Sequence, residues 1–444
     1  MGVRPVGRLL AEMAIPMMIS MLVQAFYNVV DSIFVAKLSE EAFNAVSLAF
    51  PLQNLMIAFG TGTGVGVNAL LSRALGAKDR DQVDRTANVG VVLFILTYAA
   101  FALIGVFGSA PFFRAQTDAA DIVRYGTDYS RICLGLSFGL FSQFLFERLL
   151  QSTGRTKLSM LTQLLGAIVN IILDPILIFG LCGLPRMEVA GAALATVIGQ
   201  ILSAILGLYL NLHHNPEIHL SFAQMRWRTR TVGEIYEIGF PSIVMSAISS
   251  VMTFGMNQIL LGFSTTATAV FGAYFKLQSF IFMPIFGLNN GMIPIISYNY
   301  GARKPDRVKK TIRLSILSAV CIMALGCAAF ELLPDTLLSL FSPSPAMLAS
   351  GERALRIIAP HFLLAGFCII SGSVCQAIGR PVHALITSVC RQLVVLLPCA
   401  WLLAQTGRLE LVWLAFPIAE LVAFTMNIFF LRATLRRAEA ALTD

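Results

Sequence analysis

The segment GAKDRDQVDRT at residues 76–86 returns 225 residues later as GARKPDRVKKT at 301–311. Gly76, Asp81, Val83 and Thr86 fall on Gly301, Asp306, Val308 and Thr311. The same offset, without a gap across most of each half, pairs Pro16 with Pro241, Gln53 with Gln278, Gly62 with Gly287, Gly66 with Gly291, Arg131 with Arg356 and Gly154 with Gly379. Chance matches between apolar segments are mostly Leu, Val and Ala, whereas these are Gly, Pro, Gln, Asp and Arg. The chain is a tandem duplication.

What is duplicated is apolar. Of 444 residues, 57% are hydrophobic and 13% charged, against roughly 45–50% and about 25% in soluble domains. With a mean hydropathy of +0.77, a water-soluble globule is excluded. A helical span needs about 20 apolar residues, and apolar segments fall near 9–36, 46–72, 87–110, 127–150, 158–181, 190–212, 236–260, 268–298, 311–333, 354–375, 382–404 and 412–432. The expected fold is an all-α integral membrane protein of twelve transmembrane helices in two six-helix repeats. An even number of spans per repeat makes the repeats parallel, related by an axis along the membrane normal and facing each other across a central cavity. The polar segment 213–232 is the expected cytoplasmic linker between an N-terminal lobe at 1–212 and a C-terminal lobe at 233–444.

With the N-terminus inside, 21 of the 32 Lys and Arg lie in inner segments and 8 in outer ones. This bias places both termini in the cytoplasm, and a cytoplasmic (inner) membrane of a bacterium is the expected location. Arg4 and Arg8 before an apolar run imitate a signal peptide, but the run continues to Asp31 without a small-residue cleavage site, so it reads as the first span. The eight cysteines form no CxxC pair and read as small buried hydrophobes. There is no P-loop and no HExxH, so neither ATP nor zinc chemistry is indicated. Gly-Leu-Ser-Phe-Gly at 135–139 fits a hydrolase elbow but lies in an apolar span, and the histidines of the linker, His213, His214 and His219, read as solvated.

Ionisable groups inside a span cost about 2.5–3.5 kcal/mol each on insertion scales and therefore mark bundle interiors or watery cavities. In the first span Ser20, Gln24, Tyr27, Asn28 and Asp31 recur at steps of three and four, forming one stripe on one helix face. In the fifth, Asn170 and Asp174 share a face, with Pro175 removing a backbone donor directly after them. In the fourth, Gln143, Glu147 and Gln151 form another row. The duplication supplies a control, because Asp31 corresponds to Met256, Glu147 to Gly372 and Asp174 to Cys399. Acids needed only to build a six-helix bundle would have polar counterparts in the second copy, so these read as chemical groups. The second half has Lys276, Gln278, Arg391 and Glu420 in its spans, and Lys276 or Arg391 could pair with Glu420 or with substrate. The glycine run at 60–66 and the pair Gly287 and Gly291 read as close helix contacts.

Gln-Ala-Phe-Tyr-Asn-Val-Val-Asp at 24–31, Gly-Ala-Lys-Asp-Arg at 76–80, Asn-Ile-Ile-Leu-Asp-Pro at 170–175, Phe-Gly-Ala-Tyr-Phe-Lys-Leu-Gln at 271–278 and Asn-Tyr-Gly-Ala-Arg at 299–303 occur in order across both repeats. In these the chain resembles the multidrug and toxic compound extrusion (MATE) transporters, in their bacterial multidrug-export branch. The resemblance implies a V-shaped pair of lobes and a secondary antiporter, not an enzyme, that exports amphipathic organic cations in exchange for H+ or Na+. By position, Asp31, Asn170 and Asp174 match the family's cation-coupling cluster. Gln24, Tyr27, Asn28, Glu147, Lys276, Gln278 and Arg391 are further substrate or coupling candidates, and Pro16 and Pro175 candidate hinges. No cofactor beyond the coupling ion is expected, and no resident metal, although Na+ could sit at Asp31, Asn170 and Asp174. The expected partners are small organic cations and membrane lipids, with no nucleic acid, and the chain is expected to act as a monomer. Two rivals are a lipid-linked precursor flippase, which would want a strongly cationic cavity, and a membrane-embedded transferase or hydrolase, which would want a metal-binding acid cluster or a nucleophile–base set.

Overall fold

The computed structural model describes residues 1–341 and 343–443, and they are almost entirely helical. Among them, ten helices are long and apolar enough to cross a membrane, and two bent pairs raise the spans to twelve. In the first repeat α1 is Val6–Leu38, α2 Glu40–Ala77 and α3 Arg80–Leu103, which runs through a π-helical turn at Ile104–Gly108 into α4, Ser109–Arg114. The bent pair α5 (Ala120–Gly135) and α6 (Phe138–Ser152) follows, then α7 (Thr156–Phe179) and α8 (Glu188–His214). The second repeat has α9 (Thr229–Leu261), α10 (Thr265–Gly301), α11 (Pro305–Leu332) and α12 (Pro334–Ser339), then the bent pair α13 (Pro345–Ile358) and α14 (His361–Ala377). Helix α15 (Pro381–Val389) continues through a π-helical segment, Cys390–Leu396, into α16 (Leu397–Ala404), and α17 (Leu409–Trp413) leads into α18 (Ala415–Thr443).

The duplicated residues explain themselves as helix punctuation. Ser39 and Ser264, one offset apart, cap α2 and α10 by accepting from the backbone N–H groups of Ala42 and Ala267. Gly154 and Gly379 take the same left-handed backbone, φ 84° and 85°, which a side chain disfavours. The fourth and tenth spans are not the continuous helices their apolarity suggests, being bent by 43° and 52°. In the fourth, the break falls inside the 135–139 stretch, where Ser137 Oγ donates to the Leu134 carbonyl at 2.7 Å. In the tenth it falls at Pro360, which cannot donate to the helix ladder.

The chain divides into two compact units, Ile19–Ile243 and Met1–Met18 with Val244–Asp444. These bounds differ from the sequence-based division at 1–212, 213–232 and 233–444, and glycine explains the difference. A Cβ on Gly287 would stand 2.4 Å from the Met18 Cα, and one on Gly291 2.6 Å from the Ala14 Cα. The start of α1 therefore lies backbone to backbone against α10 in one unit. In the other unit, a Cβ on Gly66 would stand 2.2 Å from the Ile235 carbonyl oxygen, and one on Gly62 2.4 Å from Ile243 Cγ1, so the start of α9 lies against α2 in the same way. Both divisions fall just after the paired prolines, Pro16 in α1 and Pro241 in α9, and both helices continue through them.

The expected linker is likewise built into the Ile19–Ile243 unit. Asn88 holds it at two points, donating to the His219 carbonyl at 2.9 Å and accepting from the Ser221 N–H at 3.0 Å, while Asp84 accepts from the His219 N–H at 3.0 Å. Each unit has its own core, one including Leu71, Phe94, Phe141 and Leu145, the other Tyr274, Phe330, Phe362 and Trp413. Large apolar side chains such as Phe107, Leu325 and Leu402 are left exposed, as hydrocarbon surroundings permit.

Candidate functional site

In the Ile19–Ile243 unit the polar stripe of α1 turns Asp31 toward α7. Asp31 lies within hydrogen-bonding reach of Asp174, which is fully buried. Two carboxylates can only accept hydrogen bonds, so the pair becomes bonded when one proton is shared or a cation is placed at it. Consistent with this, Asp31 Oδ1 is buried with no hydrogen-bond partner in the protein. No Lys or Arg side chain makes an ion pair with either acid among the described residues.

Asn170, one turn before Asp174 on α7, is 2% exposed. Its amide nitrogen donates to Asp174 Oδ2 at 3.2 Å, and its oxygen accepts from the Thr196 N–H at 3.2 Å and shares the Thr196 hydroxyl, 3.1 Å away, with the Ala192 carbonyl. The asparagine thus offers a donor to the acid, and its oxygen is already engaged by α8. Tyr27 lies in the electrostatic reach of Asp31 and Asp174. Tyr129 and Cys133 of α5 lie near enough to Asp31 to feel its charge, with Gln53 of α2 donating to the Tyr129 hydroxyl at 2.9 Å. Gln24 is half-buried and Asn28 exposed on the same stripe.

Thr196, Gln53 and Tyr129 are absent from the sequence-based site. The control that singled out the acids also marks Thr196, whose counterpart is Leu421. It does not mark Gln53, which the second repeat retains as Gln278.

Glu147 forms a cluster of its own. The carboxylate is 4% exposed and accepts from Gln143 at 2.8 Å, Gln163 at 2.7 Å and Thr162 at 3.3 Å. The neighbouring Arg148 donates instead to Gln151, at 2.8 Å. Two glutamine amides therefore satisfy this acid, with the Thr162 hydroxyl shared between it and the Ser159 carbonyl at 2.7 Å, and among the described residues no hydrogen bond joins it to Asp174. Helix α7 remains continuous across Pro175.

The remaining candidates lie in the other unit. Arg391, and not Lys276, pairs with Glu420, at 3.1 Å. Lys276 is exposed and makes no ion pair among the described residues. Gln278 is half-buried with Oε1 buried and unbonded. Among the described residues no three His, Cys, Asp or Glu side chains group as metal ligands.

A MatE family model matches residues 16–176 and again 241–402, well over half of the chain and once per repeat. The chain is 27% identical to a FAD transporter of Shewanella oneidensis, over 94% of this chain and 92% of that protein. It is also 27% identical to the multidrug export protein MepA of Staphylococcus haemolyticus, over 94% and 91%. A solved multidrug resistance MATE family transporter of the MOP superfamily, in an outward-facing conformation, superposes with a TM-score of 0.91 at 25% identity, over 98% of this chain and 97% of that one. These matches agree with twelve spans and two repeats: the chain is a multi-pass membrane transporter and belongs to the MatE family.

Proposed function

We propose that the protein exports amphipathic, mostly cationic organic compounds by alternating access in exchange for H+, with Asp31 and Asp174 as the loading site and Asn170 as their fixed donor. The observation that carries this reading is the half-buried Asp31 beside the fully buried Asp174, with the Asp31 Oδ1 atom buried and unbonded and, among the described residues, no Lys or Arg ion pair to either acid. A proton entering from outside bridges the two carboxyls and removes their mutual repulsion. Movement of one charge inward draws about 2.3 kcal/mol per 100 mV from the membrane potential. Pro16 and Pro175 are the proposed points of rearrangement. H+ is favoured over Na+ because the Asn170 oxygen is engaged by Thr196, which leaves two carboxylates as a thin ligand set. The same reading places the chain in the bacterial cytoplasmic membrane with both termini inside, working as a monomer without a resident cofactor.

The experiment is gradient-driven uptake of ethidium by proteoliposomes, with H+ and Na+ gradients imposed separately. Asp31→Asn and Asp174→Asn are each expected to abolish H+-driven uptake, and retained uptake in both would remove the assignment. A second reading, an anionic flavin nucleotide as cargo, is favoured by Lys276, exposed and without an ion pair among the described residues, and by the relative described as a FAD transporter. Transport of FAD that Lys276→Gln eliminates, without transport of ethidium, would establish it.

A further inference from the structure

The second repeat has its own buried acid, which the proposed cycle leaves unused. Glu420 of α18 is 3% exposed and is bonded through Oε2 to Arg391 Nη1 at 3.1 Å, while its Oε1 is buried and unbonded. Four groups face it: Arg391 on the π-helical segment Cys390–Leu396, Tyr274 on α10, and His361 and Cys368 on α14. Arg391 is the only one of the four with a fixed positive charge. Its side chain is 30% exposed against 3% for Glu420, so the acid is the more deeply enclosed member of the pair. π-Helical turns of this kind recur where a side chain must be aimed against the regular helix register.

The duplication sets this group apart from the scaffold the two repeats share. Arg391, Glu420 and Tyr274 correspond to Gly166, Ala195 and Ala49 in the first repeat. Conversely, Asn170, Asp174 and Thr196 correspond to Val395, Cys399 and Leu421. Apart from Tyr274 on α10, these residues nevertheless lie on the equivalent pair of helices, α7 with α8 in one repeat and the α15–α16 segment with α18 in the other. Glu420 stands at the position preceding the counterpart of Thr196. On equivalent helices, then, one repeat holds an acid, Asp174, without a cation and the other holds an acid, Glu420, with a cation tethered to it.

We propose that Arg391 is a built-in counter-ion, permanently filling at Glu420 the role that the mobile ion fills at Asp31 and Asp174, so that the second repeat is electrically silent and coupling runs through the first alone. Removing the guanidinium leaves Glu420 as a buried acid without a partner, which must recruit a charge of its own. It would take a proton from outside and release it inside, making a second coupling site.

This inference rests on the proposed H+ exchange, and the ratio of protons to ethidium moved per cycle tests it separately. The ratio is measured in proteoliposomes from opposed gradients at which net flux vanishes. Arg391→Gln is expected to raise the ratio by one proton, Arg391→Lys to leave it at the wild-type value, and Arg391→Gln with Glu420→Gln to restore it. The apolar pair Arg391→Met with Glu420→Leu also retains the wild-type ratio, and it provides the test if Arg391→Gln does not fold. A wild-type ratio in Arg391→Gln, or an altered ratio in the apolar pair, overturns the proposal. Uncoupled ethidium movement in the wild type would instead remove the reading on which it rests.

Discussion

Gly291 and Ala14 touch through their backbones: a Cβ on Gly291 would stand 2.6 Å from the Ala14 Cα and 2.7 Å from its nitrogen. Backbone atoms cannot swing aside as a flexible side chain can, so any larger residue forces α1 away from α10. Gly291→Val is expected to destabilise the protein by about 1–3 kcal/mol or more through overpacking. Gly272, where an added Cβ would meet nothing within 4 Å, provides the control; Gly272→Ala should leave stability unchanged or raise it by about 0.5–1 kcal/mol through the helix preference of alanine. Thermal unfolding of the two variants in detergent measures the contrast, and equal melting temperatures would contradict the close contact.

Thr196 fixes the orientation of Asn170. Thr196→Val keeps the shape and the backbone N–H but removes the hydroxyl that the amide oxygen shares with the Ala192 carbonyl, with a cost of up to about 1 kcal/mol for a typical hydrogen bond. Asn170 then has less reason to aim its nitrogen at Asp174. The expected result is a change of up to roughly fivefold in the H+ concentration that half-saturates transport, from that energy, with the amount of folded protein retained. An unchanged proton dependence would show that Asn170 is held by other means.

Glu147 is surrounded by donors, and this separates stability from coupling. Glu147→Gln turns one acceptor oxygen into an NH2 group that meets the amide donor of either Gln143, at Oε1, or Gln163, at Oε2, leaving a buried polar group unsatisfied at about 1–3 kcal/mol. The variant is expected to melt earlier yet to retain the wild-type ratio of protons to substrate. A lowered ratio would place Glu147 in the coupling path.

Arg307 ties down the beginning of the chain, donating to the Met1 carbonyl at 2.8 Å, the Arg4 carbonyl at 2.6 Å and Asn299 Oδ1 at 3.0 Å. Lys304 adds a bond to the Gly2 carbonyl at 2.8 Å. Arg307→Ala is expected to speed amide hydrogen exchange over residues 2–12 by about tenfold or more, because exchange reports local opening, while α14 and α18 are unaffected. Equal protection in the variant would show that the helix contacts at Gly287 and Gly291 hold the segment unaided.

The repeat, the spans and the acids were legible in the sequence because each is written in a single stretch. A 225-residue offset survives as Gly, Pro and Asp matches, a span as an apolar run, and the Asp31 stripe as a period of three to four. Relationships between stretches were not. Thr196 lies on α8 and reads as an ordinary helical threonine until Asn170 of α7 is placed beside it. The choice of Arg391 over Lys276 as the partner of Glu420 depends on which face of α10 turns outward, and both candidates have the same charge and apolar surroundings in sequence. The boundary between the units was concealed for a related reason. A stretch of small residues announces a close approach but does not name the helix that makes it, and here Gly287 and Gly291 receive a helix from the opposite end of the chain.

That exchange of leading segments constrains synthesis. A ribosome delivers Met1–Met18 first, yet its seat on α10 around Gly287 and Gly291 is made only after the whole first repeat and α9 have entered the bilayer. The reciprocal segment of α9, up to Ile243, must be delivered before the Ile19–Ile243 unit is complete. Neither repeat can therefore close as it is made: a nascent chain halted after its sixth span would hold one helix start without a seat and one seat without a helix.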